Sequence, residues 1–119
     1  MGKNELQSEA EQRWNAQKKL LVGENLSLGK TYSYLLINNI RQLFFTFARY
    51  KFASRLVGDM PRQKILELGC LEGLGTMFFA EKGHEVLAVD FDETAINWAK
   101  KNLSMHKNIV FKKDNFIGM

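Results

Sequence analysis

Three glycines follow a short apolar run in KILELGCLEGLG, residues 64–75. The spacing of Gly69, Gly73 and Gly75 suits a loop that turns sharply and lets a ligand reach its backbone. Glycine serves both needs, because it lacks Cβ and tolerates positive φ. A helix beginning beyond the loop offers free N–H groups to that ligand. Asp90, in VDFDE at the end of a second apolar run, lies 21 residues after Gly69. An acid at a strand end about 20 residues past a glycine loop can accept both hydroxyls of a ribose. A nucleoside-containing cofactor explains the two features together.

Two such cofactors fit the glycines differently. The dinucleotide pattern G-x-G-x-x-G fails, because Leu71 stands where its second glycine belongs. The pattern G-x-x-x-G-x-G does fit, and its spacing is similar to that of the short-chain dehydrogenases. The neighbouring acids decide between them. S-adenosyl-L-methionine (SAM) carries an ammonium on its methionine end, which a carboxylate such as Glu67 can hold directly or through water. A pyrophosphate would be repelled by Glu67, and also by Glu72 inside the loop.

LELGCLEG resembles motif I of the class I SAM-dependent methyltransferases, with an acid two residues before the first glycine. Leu71 departs from that motif at its middle glycine. GHEVLAVDFDETAINWAKKN resembles the family's next segment, and NIVFKKDNF its third strand. The resemblance covers about residues 63–116. It implies that Glu67 holds the amino group and that Gly69, Cys70, Leu71 and Gly73 give backbone contacts to the methionine end. It further implies that Asp90 accepts the ribose hydroxyls and Phe91 packs on the adenine. Asp114 would accept from the adenine amino group, with Asn115 flanking it. Tyr32 and Tyr34 resemble tyrosines that approach the cofactor's carboxylate, and Tyr34 is the one assigned to the site.

These residues need elements to hold them. KILEL (64–68), EVLAV (85–89) and NIVFK (108–112) read as strands, with helices over 74–82 and 93–104 between them. Ile96, Ala99 and Leu103 share one face of the second helix, and Asp92 and Glu93 suit its N-terminal end. Strand–helix–strand–helix–strand predicts an α/β, Rossmann-like parallel sheet with right-handed crossovers. The resemblance gives the strand order 3-2-1, a portion of a family sheet that runs 3-2-1-4-5-7-6. The expectation is therefore a truncated class I methyltransferase fold, inactive by itself, with strand 1 as an edge.

Pro61, the only proline, separates this part (63–119) from an N-terminal helical cap (1–62). The cap pattern predicts a helix over 4–22 with Leu6, Ala10, Trp14 and Leu21 on a narrow stripe. GENLSLGKTYSY reads as a loop. A stronger helix from Asn38 to Val57 puts Leu43, Phe47, Tyr50 and Val57 on one stripe, and Phe45, Phe52 and Leu56 on a second. Arg41, Lys51 and Arg55 form a third group. Two apolar stripes predict contacts on two sides, a sheet below and a lid helix above.

The chain has 119 residues and a net charge of +4. Ten Lys/Arg against five Asp/Glu in residues 1–62 place the basic excess in the cap. No nucleic-acid module accompanies that excess, so a small-molecule methyl acceptor is the expectation. No run approaches the ~18 apolar residues of a membrane span, and the single cysteine rules out an internal disulfide. A cytoplasmic setting is expected, with no membrane partner. Self-association through the strand 1 edge or the aromatic helix is a further expectation. Two histidines, His84 and His106, both read as solvent-facing, and one cysteine make no metal frame. No catalytic base can be named. An NADP-dependent dehydrogenase-like module and a non-catalytic interaction fragment are the alternatives.

Overall fold

The computed structural model describes residues 2–19 and 27–117. Helix α1 spans Lys3–Lys18, α2 Lys30–Asn38 and α3 Ile40–Val57. Strand β1 (Lys64–Leu68), the short helix α4 (Met77–Ala80), β2 (Glu85–Asp90), α5 (Glu93–Asn102) and β3 (Ile109–Lys113) follow. The three strands form one parallel sheet in the order β1-β2-β3. The expected topology holds, with β1 at an edge.

One face of the sheet is covered. Val86, Ala88, Ile109 and Phe111 pack with Phe79 and Ala80 of α4, and with Ile96, Ala99 and Leu103 along α5 and its end. Tyr50, Ala53 and Val57 of α3 lie against this core. The 3.6-residue spacing of Ile96, Ala99 and Leu103 thus produces the buried face it predicts. Asp92 caps α5, its Oδ1 accepting from the Thr94 and Ala95 N–H groups at 3.0 and 3.3 Å.

Among the described residues the opposite face is largely bare, with Val89 at the carboxyl end of β2 its buried exception. Leu66, Leu87 and Val110 stand in register across the three strands. They are 59%, 39% and 60% exposed, and Leu68 is exposed beside them. Parallel sheets are ordinarily covered on both faces. A cavity of about 550 Å³ lies over this row, rimmed by Arg62, Lys64 and Lys107. It lies toward the amino ends of the strands, at the far end from the glycine loop, and is the shape of the uncovered face rather than of a cofactor site.

Several expectations need correction. KTYSY belongs to helix α2, not to a loop. Asn39 interrupts the helical path with φ −154° and ψ 69°, and its side chain caps α3 by accepting from the Gln42 N–H. The helix over 74–82 shrinks to Met77–Ala80, bounded by turns. Of the predicted α1 stripe, Leu21 lies outside the described residues, and Leu6 and Trp14 are exposed. On α3 the first stripe is inward, while Phe45, Phe52 and Leu56 face solvent. His84 is buried, not solvent-facing: Nδ1 accepts from the Gln63 N–H at 3.0 Å, while Asn108 Nδ2 donates to the His84 and Ala80 carbonyls. Those partners are 21 and 24 residues away, beyond the reach of local pattern.

Candidate cofactor site

The glycine loop leaves β1 at the carboxyl end of the sheet, where ligands of open α/β sheets bind. The N–H groups of Gly69 and Cys70 both donate to the Val89 carbonyl, at 2.7 and 3.1 Å, which ties the loop to the end of β2. Gly69 has φ +83°, and a Cβ there would meet nothing within 4 Å. Its open side is therefore free for an incoming group. Gly73 has φ +86°, and its Cβ would stand 2.5 Å from Phe111 Cε1. The Gly73 side of the loop is closed onto the core.

Asp90 ends β2 and is 2% exposed. Its Oδ2 accepts from the Leu71 N–H at 2.8 Å and its Oδ1 from the Asp92 N–H at 2.9 Å. One side chain thus clamps the glycine loop and the start of α5. Each carboxylate oxygen keeps a lone pair for a further donor. The Asp90 carbonyl also accepts from the Asp114 N–H at 3.0 Å, bringing the end of β3 alongside.

Leu71 has φ +52°, the one described non-glycine residue in the left-handed region. The backbone keeps the turn of the missing glycine at a cost of about 1–2 kcal/mol. Leu71→Gly is accordingly expected to be more stable than Leu71→Ala by about 1 kcal/mol, the reverse of the order at ordinary positions. Urea midpoints of the two variants check this. An equal or lower midpoint for the glycine variant would show that the turn carries no such strain.

Glu67 points to the covered face. Its Oε2 accepts from Thr76 Oγ1 at 2.5 Å and its Oε1 from the Tyr50 hydroxyl. Burial raises its pKa; the hydrogen bonds from Thr76 and Tyr50 oppose the shift, and the Asp90 charge adds to it. A carboxyl group with a raised folded-state pKa binds more protons folded than unfolded. Its penalty on stability is absent below the unfolded value, near 4.5, and grows as pH rises above it. Glu67→Gln is expected to raise the melting temperature more at pH 8 than at pH 5. A pH-independent difference in a calorimetric series would contradict the assignment. Tyr50, unrecognised in the sequence as a site residue, also explains Gly75: a Cβ there would collide with the Tyr50 ring.

The remaining expected residues are placed unevenly. Cys70 is fully buried, and burial, then the Glu67 and Asp90 charges, push its thiol up to about 12. It is a packing residue. Phe91 is 68% exposed at the mouth of the loop. Asp114 is half-buried and pairs with Lys112 Nζ at 3.2 Å, and exposed Asn115 accepts from the Ile117 N–H. Tyr34 is exposed on α2, whereas Tyr32 is 1% exposed and stacks on Phe47 at 5.8 Å. Among the described residues, no group of acids, histidines and cysteine has the makings of a metal centre. No described helix is long and apolar enough to cross a membrane.

Residues 66–116 match the family model of a methyltransferase domain. No curated protein matches the chain. Among solved structures, the 23S rRNA methyltransferase ErmE is 28% identical with a TM-score of 0.51, over 63% of this chain and 30% of its own. A putative sarcosine dimethylglycine methyltransferase from Galdieria sulphuraria is 21% identical with a TM-score of 0.54, over 77% and 36%. The N-terminal domain of EvdMO1, crystallised with SAH and D-fucose, is 23% identical with a TM-score of 0.51, over 59% and 32%. Residues 66–116 are thus similar to a methyltransferase domain, and the fold is the Rossmann-like one of SAM-dependent methyltransferases. The match favours that reading over the dehydrogenase alternative. The chain spans about a third of the length of these three structures.

Proposed function

We propose that this chain carries the cofactor-binding part of a methyltransferase whose acceptor is a small molecule. The observation that carries the reading is Asp90: a buried acid at the end of β2, holding the loop at Leu71, with lone pairs left over. SAM supplies an electrophilic methyl group on a sulfonium. The residues of this chain bind and orient it. Gly69, Cys70, Leu71 and Gly73 offer the loop backbone to the methionine end, and Asp90 accepts from the ribose. Phe91 gives an exposed ring for the adenine, with Asp114 and Asn115 beside its amino group. Glu67, taken up by Tyr50 and Thr76, fixes the base of the loop against α3. Methyl transfer is an in-line displacement, so positioning and exclusion of water are the main contributions asked of a protein.

The bare Leu66–Leu87–Val110 row and the β1 edge support self-association within the same reading. Sedimentation at several concentrations tests that part, and a monomer throughout would overturn it. The cofactor reading is tested by calorimetric titration of SAM, S-adenosylhomocysteine (SAH) and NADPH into the chain. Saturable binding of SAM and SAH without NADPH supports it. Binding of NADPH alone overturns it.

A further inference from the structure

Behind the loop lies a second carboxyl group that the roles above leave unused. Glu72 sits between Leu71 and Gly73, and its side chain turns inward to 2% exposure. Its Oε1 accepts from the Thr31 N–H at 2.7 Å, at the start of α2. Gly29 lies so close that a Cβ there would stand 2.5 Å from Glu72 Cγ. The N-terminal segment is thus folded directly onto the cofactor loop. Among the described residues, Glu72 Oε2 and the Tyr32 hydroxyl are buried with no hydrogen-bond partner.

Unpartnered polar atoms at this depth are costly, and native proteins rarely leave them so. Burial first, then the Glu67 and Glu72 charges, raise the pKa of the Tyr32 hydroxyl against a smaller lowering from the Gly75 backbone, so it remains protonated as donor and acceptor. No lysine or arginine side chain hydrogen-bonds to either carboxyl group among the described residues. The two acids differ in one respect. Glu67 has both oxygens engaged by hydroxyl donors, whereas Glu72 has one oxygen free.

We infer that Glu72, whose Oε2 is buried without a partner among the described residues, is the acceptor for the cationic amino group of the cofactor's methionine end, with the Tyr32 hydroxyl as a second acceptor, and that Glu67 is a positioning residue. The inference rests on the cofactor reading above. It assigns a charged contact to a loop residue outside the E-x-G frame. It also makes the docking of Thr31 part of the site: the N–H that fixes Glu72 Oε1 leaves Oε2 for the ligand.

The test compares ligands that keep or lack the amino group. SAM, SAH and decarboxylated SAM keep it; 5′-methylthioadenosine does not. Glu72→Gln retains a carbonyl oxygen for the Thr31 N–H while removing the charge. The variant is expected to lose about 10- to 100-fold in affinity for the three amino-bearing ligands and to bind 5′-methylthioadenosine as the unaltered chain does. Tyr32→Phe is expected to give a smaller loss in the same pattern. Equal losses for all four ligands would mean that Glu72 only shapes the loop and would overturn the inference. Unchanged affinities would overturn it too, leaving a buried water as the partner of Oε2. If the unaltered chain binds none of the four, the cofactor reading itself fails, which is a separate result.

Discussion

Asp90→Ala is expected to abolish saturable SAM binding and to lower stability by about 2–4 kcal/mol, because it leaves the Leu71 and Asp92 N–H groups without their acceptor. Both donors belong to turns that define the site. Leu71 holds its left-handed φ against a steric preference, and the Asp90 carboxylate is what holds its N–H in place. Without it the loop and the start of α5 come apart from the end of β2. Asp90→Asn separates the two roles. The amide keeps one acceptor oxygen, so stability should fall less, while its NH2 offers a donor where ribose hydroxyls require an acceptor. Urea denaturation and calorimetry on both variants check the pair. Normal SAM affinity in Asp90→Asn would remove the ribose assignment, whatever the stability result.

Gly73→Ala is expected to cost about 3–5 kcal/mol, a large share of the 5–15 kcal/mol that holds an ordinary domain. Two independent effects add at this position. A residue with Cβ is strained at φ +86°. The new methyl would also press on Phe111 Cε1 at 2.5 Å and Leu103 Cδ1 at 3.3 Å, both in the packed core. Gly69→Ala meets nothing within 4 Å and suffers the strain alone. The contrast is therefore internal to one loop: Gly73→Ala should unfold at markedly lower urea than Gly69→Ala. Equal midpoints would show that Phe111 yields freely and that the loop is not braced by the core.

The sequence by itself determined whatever depends on near neighbours. Strand runs, the helical period of Ile96, Ala99 and Leu103, the Asp92 cap and the glycine spacing are all local. They were enough to lay out β1, β2, β3 and α5, and to single out Asp90. The tertiary structure decided what depends on residues far apart along the chain. Glu67 reads in sequence as a ligand for the amino group, yet it is met by Tyr50 from 17 residues away. Glu72 reads only as an acid inside the loop, yet Thr31, 41 residues away, turns it inward. His84 looks like a turn residue until Gln63 and Asn108 close over it. The charge of a carboxyl group is written in the sequence. Its free lone pairs are not, because they are what remains after packing has assigned the others.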